Sequence, residues 1–146
     1  MNLPGDILFF YSSALAAPDK RGLLKQFLCT LARKEGKKIT SLNIIFCDDE
    51  QLLQINQSFL QHNDYTDIIT FDLSPVKNGP ITAEIYISTE RVRENARLFK
   101  TSIQRELHRV VFHGMLHLCG YGDKKPKDVV LMRAKEDFYL NRYFGK

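Results

Sequence analysis

Cysteine is scarce in this chain: three residues of 146, at positions 29, 47 and 119. An odd and small number argues against a disulfide framework and fits a reducing compartment, so a cytoplasmic location is expected. Long apolar runs are missing too. The longest mostly apolar stretch, Ile7 to Ala17, is interrupted by Ser12 and Ser13. It falls well short of the roughly 20 apolar residues of a membrane-spanning helix. Met1 to Asp6 lacks the basic start, apolar run and small-residue cleavage site of a secretory signal, so none is expected. Glycine–serine linkers, low-complexity tracts and internal repeats are also missing. With 44% apolar residues, the length suffices for one sizeable core and not for two, which predicts a single domain over 1–146. The net charge of +4 is compatible with a polyanionic partner without requiring one.

What is present reads as alternating strands and helices. Asp6 to Tyr11 suits a first strand. Pro18 suits the first turn of a helix whose stripe is Leu23, Leu24, Phe27, Leu28 and Leu31, stopped by Gly36. Leu42 to Cys47 is a short, near-continuous apolar run, the mark of a buried strand. Asp48 and Gln51 form a capping-box pattern ahead of a helix carrying Leu52, Leu53, Ile55 and Phe59. Asp67 to Leu73 and Ala83 to Ile87 read as a hairpin, with Pro75, Asn78, Gly79 and Pro80 at its tip. A basic helix runs from Ser88 or Thr89 to near Lys100. Thr101 with Gln104 then caps another helix, with Ile103, Leu107, Val110, Val111 and Leu118 towards the core. Pro126 opens a last helix packing through Val130, Ala134 and Phe138. The strand–helix–strand start favours a parallel pair, and the hairpin adds antiparallel pairing. The expected fold is α+β: a small mixed sheet of about four strands, with helices mainly on one face.

The most informative segment is His113-Gly114-Met115-Leu116-His117-Leu118-Cys119-Gly120-Tyr121-Gly122-Asp123. Residues four apart share one face of a helix, so His113 and His117 can present two imidazoles to one metal ion. A catalytic site wants a third protein ligand and an open position. Gly120 offers the helix a left-handed exit, Gly122 allows another bend, and Asp123 then arrives where its carboxylate can turn back. This places a metal site at the end of a central helix, with ligands His113, His117 and Asp123.

The same segment resembles the YbeY family of metal-dependent endoribonucleases, with its His-Gly-x-Leu-His-Leu-x-Gly-Tyr pattern and a third ligand six residues on. Ile55-Asn56-Gln57-Ser58-Phe59 and Asp64-Tyr65-Thr66-Asp67-Ile68-Ile69-Thr70-Phe71 are similar to a second family block, Asn-x-x-Tyr-Arg…Asp-x-Pro-Thr-Asp-Val-Leu-Ser-Phe. Ala83-Glu84-Ile85-Tyr86-Ile87-Ser88 resembles a third, Gly-Asp-Ile-x-Ile-Ser. Two departures stand out. The third ligand is usually histidine and here is Asp123, and the family's arginine falls on Leu60. A carboxylate ligand is accepted by zinc and favours harder metals such as manganese or iron(II) more than a third imidazole would. The resemblance implies cleavage of single-stranded ribosomal RNA in small-subunit maturation and ribosome quality control. It also implies one divalent metal per chain, zinc first.

Other residues carry alternatives. Glu106, two turns before His113, could receive a hydrogen bond from a ligand imidazole or pair with Arg105 or Arg109. His62 is the one substitute for Asp123 as third ligand. The Asp64–Asp67 segment could shape a substrate cleft or serve only its own turn. Cys119 projects about 200° away from His117 and reads as a small buried thiol, as do Cys29 and Cys47. His108 lies on another face of the helix. Arg105 and Arg109 on the metal helix and Lys124 and Lys125 after it are the expected RNA contacts. Arg91, Arg93, Arg97, Lys100 and Lys127 add to the basic surroundings or are solvated helix faces. Two other functional classes compete. Peptidases of the His-Glu-x-x-His type need a glutamate where this chain has Gly114, which leaves that reading without its proton acceptor. The other is a ribosome-assembly module with a structural metal, which would show a closed ligand set.

Overall fold

In the computed structural model, residues 3–12, 15–60 and 66–145 are described. After a 3₁₀ turn at Pro4–Asp6 come β1 (Ile7–Tyr11), α1 (Arg21–Lys34), β2 (Ile39–Cys47) and α2 (Asp49–Ile55). A π-helical stretch, Asn56–Leu60, continues α2. Then follow β3 (Ile68–Asp72), β4 (Ile81–Ser88), α3 (Thr89–Leu98), α4 (Ile103–Leu118) and α5 (Pro126–Phe144). The sheet order is β1-β2-β4-β3. β1, β2 and β4 run parallel, and β3 pairs antiparallel with β4. The fold is the mixed α+β arrangement that the alternation of elements predicts.

Strand alternation decides which helices go where. Leu42, Ile44 and Phe46 of β2 and Ala83, Ile85 and Ile87 of β4 point to one face and are at most 2% exposed. They meet Leu24, Leu28 and Leu31 of α1 and Val111, Phe112 and Met115 of α4 in one apolar core. At roughly 1.5–3 kcal/mol per fully buried large apolar side chain, this face holds α4 against the sheet. On the other face α2 covers one corner through Leu52, over Cys47 and Ile69 with Ile55, Phe71 and Tyr86 around them.

Local chemistry sets the helix starts. The Asp48 carboxylate accepts from the Gln51 amide at 2.8 Å while the Gln51 side chain accepts from the Asp48 amide at 3.1 Å, closing the expected capping box. Ser88 caps α3 by accepting from the Arg91 amide. For α4 the cap is Ser102, accepting from the Arg105 amide at 3.0 Å, and not Thr101. Gln104 instead reaches back to Ala17 and Asp19 and pins the segment before α1. Pro18 precedes that helix, which begins at Arg21. The expected packing face of α5 is also displaced. Val130 and Phe138 are 70% and 40% exposed, and the buried stripe is Met132, Glu136, Tyr139 and Leu140. Phe59 is exposed, because the chain leaves regular α-helix after Ile55.

At Gly114, α4 lies against the sheet with no room for a side chain. A Cβ there would lie 2.8 Å from Ile68 Cδ1 and 3.1 Å from Ile85 Cδ1. The position faces β3 and β4, so the glutamate of a His-Glu-x-x-His peptidase could not be accommodated at it. Gly114→Ala gains about 1 kcal/mol of helix propensity but overpacks this contact by about 1–3 kcal/mol. Net destabilisation of about 1 kcal/mol is expected in urea titrations, with recovery when Ile68→Val removes the nearest methyl. A destabilisation untouched by Ile68→Val would show that the contact is not the constraint.

Candidate metal centre

The last turn of α4 and the loop after it assemble the site. Gly120 has φ of +106°, a left-handed conformation that a side chain would strain. It allows the Gly120 amide to donate to His117 O and the Tyr121 amide to donate to Leu116 O, each at 3.0 Å. These are the paired bonds of a Schellman stop. The reversal is made by Gly120 alone, since Gly122 does not take a positive φ. Asp123 thereby lands beneath the helix end. Its Oδ2 lies 3.3 Å from His113 Nε2 and 3.2 Å from His117 Nε2. One atom from each of the three side chains falls within 4.8 Å of the others.

Hydrogen bonds at the far side of each ring give this cluster its chemistry. His117 Nδ1 lies 2.8 Å from Tyr121 O, an acceptor, so that nitrogen carries the proton. His113 Nδ1 lies 2.6 Å from Glu136 Oε2 and likewise donates. In the neutral rings both Nε2 atoms therefore present lone pairs, and they face a carboxylate oxygen that is itself an acceptor. Three acceptors converging on one point require a cation. A proton partly meets the need: burial lowers the proton affinity of His113, but Glu136, Asp123 and Asp67 outweigh it and raise the pKa. A divalent ion meets it fully, and two imidazoles with a carboxylate are a common donor set for one.

The residues named from sequence divide into those brought together here and those engaged elsewhere. His113, His117 and Asp123 meet. The imidazole hydrogen bond considered for Glu106 is made by Glu136, on the buried stripe of α5. Glu136 also accepts from Arg109 at 2.9 Å, and Arg109 reaches Asp137 at 2.8 Å. Arg109 is thus held inside an ion-pair network, contrary to a free RNA-contacting role. Arg105 donates to Asn141 at 3.2 Å towards the other end of α5, away from the site. Lys124 and Lys125 lie directly after Asp123 and are exposed. Cys119 is the C-cap of α4, its thiol pushed up to about 12 by burial, consistent with an inert thiol. His108 is a core residue, 2% exposed and packed among Phe112, Tyr143 and Phe144. His62, Asp64 and the first part of the Asp64–Asp67 segment lie outside the described residues.

Sequence reasoning passed over Glu136 and Glu35. Glu35, just after α1, accepts from the hydroxyls of Tyr121 (2.7 Å) and Tyr139 and from Lys135 (3.3 Å). It thereby holds the ligand loop through the Tyr121 side chain, while the Tyr121 carbonyl orients His117. The available signal for Glu136 was an acidic residue in register with Met132, Tyr139 and Leu140.

Beside the triad is a cavity of about 370 Å³, lined by His113 and Asp123 and also by Asp67, Glu106, Arg109 and Glu136. Glu106 is 3% exposed, and burial pushes its carboxyl up to about 7 against the pull of Arg109. Burial likewise raises Asp67, partly offset by His113. A carboxyl whose pKa is raised in the folded state favours folding at low pH, a contribution lost as pH rises through the folded value. For Glu106 that window runs from about 4.5 to about 7. Glu106→Gln is expected to leave stability near wild type at pH 5 and to raise it by roughly 1–3 kcal/mol at pH 8. Equal effects at both pH values in urea titrations would contradict the assignment.

Comparison with known proteins identifies the family. The family model described as endoribonuclease YbeY matches residues 12–144. Endoribonuclease YbeY of Cytophaga hutchinsonii is 50% identical over 135 residues, covering 92% of this chain and 94% of that protein. The Porphyromonas gingivalis protein of the same description is 40% identical, over 88% of this chain and 84% of its own length. The solution structure of a Thermotoga maritima protein superimposes with a TM-score of 0.66 at 29% identity, covering 95% of this chain and 89% of that one. With its helix-end histidines, its mixed sheet and relatives matched over nearly their whole length, this chain belongs to the endoribonuclease YbeY family.

Proposed function

We propose that this chain is a metal-dependent endoribonuclease that cuts single-stranded ribosomal RNA during maturation and quality control of the small ribosomal subunit, in the cytoplasm. Its site is read as His113, His117 and Asp123 around one divalent ion, zinc first. The observation that carries the reading is the convergence of three hydrogen-bond acceptors, with both imidazoles locked from behind. When bound, the ion supplies Lewis acidity to a phosphoryl oxygen.

The protein's own residues do the rest. Glu136 and the Tyr121 carbonyl hold the rings in the metal-binding tautomer and orientation. Arg109 holds Glu136 in place through their ion pair. Lys124 and Lys125, next to the ligand loop, attract the RNA backbone. His117 and Asp123 retain 29% and 38% of their side-chain exposure, so the group is open on one side. That openness favours catalysis over a purely structural ion, whose sites are closed. The peptidase reading has no support at Gly114, which faces the sheet.

The decisive experiment couples elemental analysis of the purified protein to cleavage of single-stranded RNA before and after chelation. Alanine at His113, His117 or Asp123 should each strip the metal and the cleavage while leaving the fold intact. Glu136→Gln should weaken metal affinity about 10–100-fold. Full metal content in Asp123→Ala would overturn the ligand set. Chelator-sensitive cleavage of an unstructured protein, lost in His117→Ala, would revive the peptidase.

RNA affinity should fall steeply with salt. Lys124→Ala with Lys125→Ala should reduce the slope of log affinity against log salt by roughly two if both touch phosphates. An unchanged slope would make them ordinary solvated lysines.

A further inference from the structure

The cavity beside the triad has walls unsuited to phosphate. Its lining carries the acids Asp67, Glu106, Asp123 and Glu136 against two guanidinium groups, Arg109 held by Glu136 at 2.9 Å and the more exposed Arg133 at 3.7 Å from it. Its remaining surface is partly apolar, from Phe99, Val129 and Met132, with Phe99 60% exposed at the rim. Single-stranded RNA is commonly read by splaying out a base, stacking it on an aromatic side chain and hydrogen-bonding its edge. A volume of about 370 Å³ lies in the range of small-ligand sites.

The two carboxyls have hydrogen-bonding capacity to spare. Among the described residues, half-buried Asp67 accepts from its own backbone amide and, at 3.5 Å, from Asn95 Nδ2. Glu106 is 3% exposed, and its ion-pair partner among the described residues, Arg109 Nε, lies as far as 4.0 Å away. The Glu106 carboxylate, set this deep in the cavity wall, is costly to leave without a closer donor. Cytosine offers its N4 amino group as a donor, where uracil of the same size offers the O4 acceptor.

We propose that this cavity is a nucleobase pocket next to the scissile phosphate, and that Asp67 and Glu106 select a base bearing an exocyclic amino group, cytosine over uracil. The proposal rests on the endoribonuclease reading above. It assigns a sequence preference that the metal ligands cannot provide, because they meet the backbone common to all RNA.

The test is binding of cytidine and uridine 5′-monophosphates to the metal-loaded protein at pH 8, followed by NMR titration. The two share phosphate, sugar and ring size and contain no internucleotide bond to cut. Cytidine monophosphate should bind at least about fivefold more tightly, the lower end of discrimination by a matched base contact. Glu106→Gln and, separately, Asp67→Asn should each bring the ratio towards one, since an amide can donate to O4. Equal binding of the two nucleotides, no binding of either, or a ratio unmoved in both variants would overturn the pocket. So would a Glu106→Gln variant that cleaves all sequences equally slowly with the ratio intact, which would mark a proton-transfer role. Metal-dependent cleavage of single-stranded RNA, measured alongside, tells failure of the pocket apart from failure of the nuclease reading.

Discussion

Two hydrogen bonds on the outer nitrogens of His113 and His117 govern the chemistry of this site. Each imidazole donates through Nδ1, to the Glu136 carboxylate and to the Tyr121 carbonyl, so each ring in its neutral form turns an Nε2 lone pair towards Asp123. Without those bonds, the same three residues could pair as ordinary histidine–carboxylate contacts. With them, the cluster is a set of lone pairs that only a cation can satisfy. The strength of the arrangement lies in the rigidity of its supports: α4 and α5 are packed along a shared face, and the loop between them is stopped by Gly120.

The supports are in turn consequences of burial. α4 sits on the sheet so closely that Gly114 has no room for a side chain. This fixes the angular position of His113 and His117, which share one flank of the helix beside it. Arg109 and Glu136 then form an ion pair that is mostly out of water, with half-exposed Asp137 at its outer end. Removing Arg109 or Glu136 would leave the other's charge poorly compensated away from water, a more severe loss than that of a surface ion pair. Glu35 does the comparable work for the loop, drawing Tyr121 and Tyr139 towards the end of α1. Glu35 after α1, residues of α4 and α5 and the loop between those two helices thus all bear on the geometry of the three converging side chains.

Much of this was legible in the sequence because its signals are local. The i, i+4 histidines, the left-handed stop at Gly120, the Asp48–Gln51 capping box and the alternating strand patterns are short-range consequences of backbone geometry. What escaped was set by tertiary contacts. Glu136 lies 23 residues after His113, and only the antiparallel packing of α5 on α4 brings them together. The face of α5 was misjudged for the same reason: Val130, Ala134 and Phe138 have the correct spacing, but the buried stripe includes an acid that hydropathy counts against. Arg109 read as a surface cation because its burial depends on α5, and Ser102 displaced Thr101 as cap because Gln104 was drawn to the segment before α1.

X-ray absorption at the zinc edge of the metal-loaded protein addresses the convergence of ligands most directly. The account predicts two imidazole nitrogens and at least one carboxylate oxygen, all at roughly 2.0–2.2 Å, with no sulfur. A sulfur shell near 2.3 Å, or the signature of a single imidazole, would contradict it.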